Sequence, residues 1–256
     1  MAVPLYLSHT KDALLRFDGA SFIRWLGISF AYARGSGVCI FGGEDVRFEG
    51  CRFFCLGYKA AFIGCQTRPA EHRTDRVCNG GYRHVLQSCD IRDTAFGGVY
   101  VSAGNRETLQ SSGVRVENCE FERFARVGKC YFFAVELSCV GTIVRNCRFH
   151  DAPHSAIWFD GNDNIIEYNE ADDAAAVYCG RDYTLQGNLV RYNFFHDIQS
   201  TAETHVGVFG TYCDDNTGGV AYYGNLYYRM QGAHHSHGGM DIHFENNLVV
   251  KCTDRS

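Results

Sequence analysis

Proline is scarce in this 256-residue chain; Pro4, Pro69 and Pro153 are the only three, and all suit edges or turns. Helical periodicity is nearly absent, so few or no helices are expected. No apolar run approaches the roughly 20 residues of a membrane span, and no membrane partner is expected. Charge of one sign is lacking too. The balance is 24 basic against 29 acidic residues, a net −5. That leaves no polyanion footprint and no expectation of nucleic-acid binding. The start, Met1 to Leu7, has neither the basic region nor the long apolar stretch of a signal peptide. Polar end caps, which a stacked repeat needs, are not recognisable. The chain opens in a strand-like run and stops at Lys251-Cys252 inside a repeat, so it reads as a fragment of a longer protein. Its 13 cysteines include no Cys-x-x-Cys pair with zinc spacing.

What is present is a repeat. One position is filled in turn by Cys51, Cys89, Cys119, Cys147, Asn169, Asn193, Asn225 and Asn247, at spacings of 38, 30, 28, 22, 24, 32 and 22. Each follows an alternating run, such as Val114-Arg115-Val116-Glu117-Asn118 or Ile165-Ile166-Glu167-Tyr168. The floor of 22 is about one turn of a parallel β-helix, and the longer gaps leave room for loops. The expected fold is therefore all-β: one solenoid domain over residues 1–256, with about eight or nine coils. Residues 66–84, 103–113 and 199–206 read as inserted loops. Stacked asparagines at the repeated position can bond one another and the turn backbone. Cysteine of similar bulk fills the apolar part of the same column. Cys39, Cys139, Cys179 and Cys213 are expected to point inward from other strands.

A second set of strands aligns behind the first, at 99–102, 135–138, 157–160, 177–180 and 211–214. Side chains alternate across a strand. Tyr100, Glu136, Trp158, Tyr178 and Tyr212 should form one outward row. Ser102, Ser138, Asp160, Gly180 and Asp214 should form the next, with His235 and His237 continuing both. Aromatic faces beside acids suit a carbohydrate groove. The competing reading is that tyrosine is common on exposed strands and aspartate where strands turn. Asp172-Asp173 and Asp214-Asp215 fall at the ends of such strands. Stacking could bring them within about 5–10 Å, the range in which two carboxyls flank a glycosidic bond. Arg181 could bind a carboxylated sugar, orient an acid, or pair with Asp182 or Asp214. His154 faces either the groove or a turn. The group His234, His235, His237 and His243 is irregularly spaced, so no metal is assigned. The acidic pairs offer oxygen ligands to calcium, but no cofactor is expected.

Several stretches together resemble a known family. They are Asp151-Ala-Pro-His-Ser-Ala-Ile157, Gly161 to Glu170, Asp173 to Asp182, Gly187 to Ile198, Tyr212-Cys-Asp-Asp215, Tyr223-Gly-Asn225, and Gly238-Gly239 with Glu245 to Leu248. They resemble right-handed parallel β-helix carbohydrate-active enzymes of the pectate-lyase-like type, closest to glycoside hydrolase family 141. The resemblance covers about residues 144–252. It implies hydrolysis of plant cell-wall glycans, an extracellular or periplasmic setting, and Asp173 with Asp214 or Asp215 as the catalytic carboxylates. Around the first acid the pattern is shorter than the family's, and Ala175 stands where the family has glycine. Trp158, Asp160, Tyr178, Arg181, Tyr212, His154 and His237 are the expected sugar contacts. A polysaccharide lyase, using Lys129 or Arg181 against a uronate, and a non-catalytic glycan-binding or structural β-helix are the alternatives.

Overall fold

A computed structural model describes residues 13–64, 80–172, 175–199 and 208–253. Within them the chain forms 27 strands and no helix. Three consecutive strands make one coil; the first coil is Leu15–Asp18, Ser21–Leu26 and Ser29–Ala31. Each strand pairs in parallel with the strand three places on, so nine coils stack into three nine-stranded sheets. The first sheet ends at Gly232–Ser236, the second at Gly239–Glu245 and the third at Leu248–Val250. This is the right-handed parallel β-helix expected from the repeat.

Local backbone chemistry explains why the coils stay in register. The residue before each rung sits in the left-handed region: Ser88, Asn118, Asn146, Tyr168, Tyr192 and Asn246 have φ of 51 to 55°, and Gly50 and Gly224 occupy the same place. That conformation turns the chain sharply from the second sheet to the third and suits glycine or asparagine. The rung side chain then braces the turn. The backbone N–H of Cys147 donates to Asn169 Oδ1 at 2.9 Å, and Asn169 N–H to Asn193 Oδ1 at 2.9 Å. Asn193 and Asn225 repeat the bond to the next coil. Each amide also donates backwards, as Asn169 Nδ2 does to Val144 O at 3.0 Å. Each of these buried asparagines therefore satisfies groups on both neighbouring coils.

In the earlier coils the thiols do less. Cys119 Sγ donates to Glu117 O at 3.2 Å and receives the N–H of Cys89 at 3.4 Å. Its pKa is pushed well up by hydrogen bonding to Cys147 and by burial, so it packs as a neutral group. No disulfide joins the described cysteines.

A second ladder, not read from the sequence, braces the turn between the first and second sheets. Ser112 and Thr142 share a bond of 3.0 Å, Thr142 N–H donates to Asn164 Oδ1 at 3.0 Å, and Asn164 donates to Asn188 Oδ1 at 3.1 Å. Left-handed Gly141, Asp163 and Gly187 precede three of its members. Between the ladders lies an apolar core. Phe53, Ile91, Phe121, Phe149, Phe195 and Tyr227 form one inward column of the third sheet. Each contributes about 1.5–3 kcal/mol by burial.

One expectation is corrected. Cys139, Cys179 and Cys213 do lie in the core, but Cys39 does not. It pairs in register with Phe62 in the outward row and packs with Phe62 and Tyr100 in a separate cluster. The loop at 103–113 is present and closes on an antiparallel bridge between Asn105 and Gln110. The loops expected at 66–84 and 199–206 fall largely outside the described residues, and a long connection between Glu122 and Val135 was not foreseen. The inner side chains of the last coil are open to solvent, with Phe244 39% and Val249 45% exposed.

Candidate functional site

The outer face of the first sheet carries the two predicted rows. Strand register places Tyr100, Glu136, Trp158, Tyr178, Tyr212 and His235 side by side on successive coils. Ser138 and Asp160 pair in the next row, and Asp214 and His237 follow one residue after the paired Cys213 and Ser236.

The first half of this face is not open, contrary to expectation. Tyr100 is 1% exposed and Glu136 2%. Tyr100 packs with Cys39 and Phe62, and Lys59 forms a buried ion pair with Glu136. Glu136 also accepts the backbone N–H of Phe133 at 3.3 Å, which fixes the connection between Glu122 and Val135 to the sheet. Partial exposure of the row therefore begins only at Trp158.

The aromatic rings are also arranged differently from a row of open platforms. Phe133, buried, stacks towards Trp158 at 6.3 Å and Tyr178 at 6.2 Å. Tyr178 stacks on Tyr212 at 5.7 Å, and Tyr212 lies 4.8 Å from His235. The faces press on one another along the solenoid axis, as parallel strands about 5 Å apart require. Tyr131, half exposed, lies 5.2 Å from His154 and 6.2 Å from Tyr178, so both join the wall of the site.

Asp214 is the centre of the polar arrangement. It is 8% exposed. Its Oδ2 accepts the Tyr178 hydroxyl at 2.5 Å and Arg181 Nε at 3.1 Å. His237 Nδ1 lies 3.8 Å from Oδ1. Gly180 makes room: with φ of +151°, a Cβ there would come within 2.6 Å of Asp214 Cβ. Burial disfavours charge on Asp214. The Tyr178 hydroxyl, the Asp215 N–H and the Arg181 guanidinium outweigh it and hold the carboxyl below the usual range. Tyr178 is pushed up correspondingly, by burial first and then by Asp214. Asp215, exposed, holds His237 Nδ1 at 2.9 Å. Beside this group, Arg106 bonds Asp160 at 3.2 Å, Asp182 at 3.1 Å and Thr184 at 2.7 Å, linking successive coils. Burial opposes ionisation of Asp182, and bonds from Thr184 together with the Arg106 charge lower its pKa nonetheless.

Residues 77–249 match the family described as the right-handed β-helix region. The chain belongs to that family. None of the curated proteins matches it significantly. Among solved structures, the β-helix is similar to a glycoside hydrolase, with a TM-score of 0.62 at 17% identity over 86% of this chain and 39% of the other. It is also similar to XylC in complex with xylose, with a TM-score of 0.57 at 10% identity over 93% of this chain and 54% of the other. The chain thus spans about two-fifths to half of these structures, and likeness at such identity speaks to the fold.

For the site residues of this β-helix, the structure brings Trp158, Tyr178, Tyr212, Arg181, Asp214, Asp215, His237 and His154 to one face. Asp160 joins them through Arg106, and Arg181 pairs with Asp214. Asp173 lies outside the described residues. Its neighbour Asp172 stands on the third sheet, 3.7 Å from Arg148 and 3.9 Å from His196. The histidines do not form one group. His234 points inward and bonds Thr211 at 2.9 Å; burial lowers its pKa to about 4, helped by His235. His243 lies on the second sheet against Glu245. Arg106, Tyr131 and Phe133 were missed because they belong to connections whose placement no local pattern encodes.

Proposed function

We propose that this right-handed β-helix is a glycan-acting enzyme that hydrolyses a glycosidic bond on the outer face of its first sheet. The observation that carries the reading is Asp214: a nearly buried carboxylate, gripped by Tyr178 and Arg181, at the floor of an aromatic-walled surface. A carboxylate held ionised suits the nucleophile or the base that activates water, not the proton donor. The donor is then assigned to Asp173, on the strength of the resemblance to glycoside hydrolase family 141. That family also supplies the substrate class, plant cell-wall polysaccharide or its oligosaccharides, and the expectation of export. Asp215 with His237, Trp158, Tyr212 and the Arg106–Asp160 pair would fix sugar hydroxyls. The likeness to a glycoside hydrolase and to a xylose complex fits this reading.

The test is incubation with a panel of plant glycans. New reducing ends without unsaturated sugar are expected, and Asp214→Asn and Asp173→Asn should each lower the rate on the order of 10²–10⁴-fold. Unsaturated product would replace the hydrolase with a lyase. Undiminished hydrolysis by both variants would remove the assignment.

A further inference from the structure

The outer face of the third sheet carries a second cluster, away from the first-sheet site. Glu170 begins the strand Glu170–Ala171, Asp172 follows it, and His196 ends Phe194–His196 on the next coil. Alternation puts Glu170 and Asp172 on the same side, with Ala171 inward between them. His196 Nε2 lies 3.2 Å from Glu170 Oε1 and 3.9 Å from Asp172 Oδ2. The two carboxylates and the imidazole each offer one donor atom, all within 4.8 Å of one another.

Those separations match a metal polyhedron. Donors at about 2.0–2.1 Å from a tetrahedral ion lie about 3.4 Å apart, so 3.2 and 3.9 Å bracket the requirement. The ring is also held from behind. His196 Nδ1 meets Asp197 Oδ2 at 2.9 Å, and Arg229 in turn holds Asp197 at 2.8 Å. Phe194 stacks on the ring at 4.3 Å. A carboxylate on the far nitrogen is the usual companion of a metal-binding histidine, because it fixes the tautomer and the ring direction. The His196 and Asp172 side chains are 14% exposed, so the ring is restrained while the donors remain reachable.

Arg148 is the competing cation, 3.8 Å from Glu170 and 3.7 Å from Asp172. Its side chain is half exposed and can swing into solvent. Among the described residues of this cluster, the carboxylates of Glu170, Asp172 and Asp197 stand against the guanidinium groups of Arg148 and Arg229.

We propose that Glu170, Asp172 and His196 Nε2 bind a divalent ion of the zinc class, with Asp197 fixing the imidazole from behind. Two carboxylates and one imidazole leave a fourth position for water. The ion staples two successive coils at the third-sheet end of the turn that leads to Val177–Cys179.

A related cluster supplies the control. His150 Nε2 meets Glu120 at 3.2 Å and Nδ1 meets Asp151 at 2.9 Å, with Glu122 nearby. The third donor is what differs: Glu122 is ion-paired with Arg123, and the remaining member of the group, Asp151, already holds the ring from behind.

The experiment titrates the metal-free chain with Co²⁺, followed by visible absorption, and with Zn²⁺, followed by calorimetry. One ion per chain is expected, with the strong visible bands of four-coordinate cobalt displaced by zinc. His196→Gln should abolish binding, Asp197→Asn should weaken it about 10–100-fold, and His150→Gln should leave it unchanged. Circular dichroism checks that each variant is folded, and Asp197→Asn serves if His196→Gln is not. Absence of cobalt bands and zinc heat overturns the proposal. So does binding that survives both His196→Gln and Asp197→Asn, or that is lost in a folded His150→Gln.

Discussion

The coils before residue 150 and the coils after it share one backbone plan and differ in what their side chains carry. Before it, the rung is cysteine and the outer row of the first sheet is buried at Cys39, Phe62, Tyr100 and Glu136, with Glu136 held by Lys59 and the Phe133 N–H. After it, the rung is asparagine, with the amides of Asn169, Asn193 and Asn225 each tying three coils together, and the same outer face carries Asp214, Arg181 and His237. The difference teaches that register is set by the turn, while the rung side chain decides how firmly adjacent coils are joined. Firm joining is found where an open polar face must hold its geometry against water.

Breaking the buried pair should have the largest effect. Lys59→Met leaves Glu136 buried without its cation and should cost about 3–5 kcal/mol in urea unfolding. A cost below about 1 kcal/mol would mean that the pair does not stabilise the buried half of the row. The rung contrast comes next. Asn193→Cys withdraws bonds from Asn169 N–H, Asn225 and Ile166 O at once, and should cost about 2–4 kcal/mol. Cys119→Ala, in the thiol half, should cost about 1–2 kcal/mol through lost packing. Equal costs would erase the distinction between the two halves.

The smallest effect expected is a pH shift within the open half. The Asp214 carboxyl is held below its ordinary value, so its contribution to stability is complete above the unfolded pKa and is lost as pH falls through the lower folded one. Tyr178→Phe removes the strongest lowering bond. The acid limb of both stability and hydrolysis should then move to higher pH. An unmoved limb would show that Tyr178 does not set the charge of Asp214.

Much of this was legible in the chain. The rung spacing and the two-residue alternation are local signals, and together they specified coil and facing. Register followed, so Tyr178, Tyr212, Asp214 and His237 could be placed on one face without coordinates. The second ladder was equally local: Gly187-Asn188 and Asp163-Asn164 repeat the pattern of Asn146-Cys147. What could not be read was what lies over the face. Cys39 and Tyr100 look like an inward residue and an exposed tyrosine until the neighbouring coils pack Phe62 between them.

The sequence by itself determined a stack of β coils, its period, and which residues share a row, because turn conformation and side-chain alternation depend only on near neighbours. The tertiary structure alone decided that half of the row is buried, that the rings stack on one another, and that Arg106 reaches from an inserted loop to Asp160 and Asp182. It also alone brought Glu170, Asp172 and His196 around one point. Those outcomes depend on long-range packing and charge pairing between segments that no spacing rule connects.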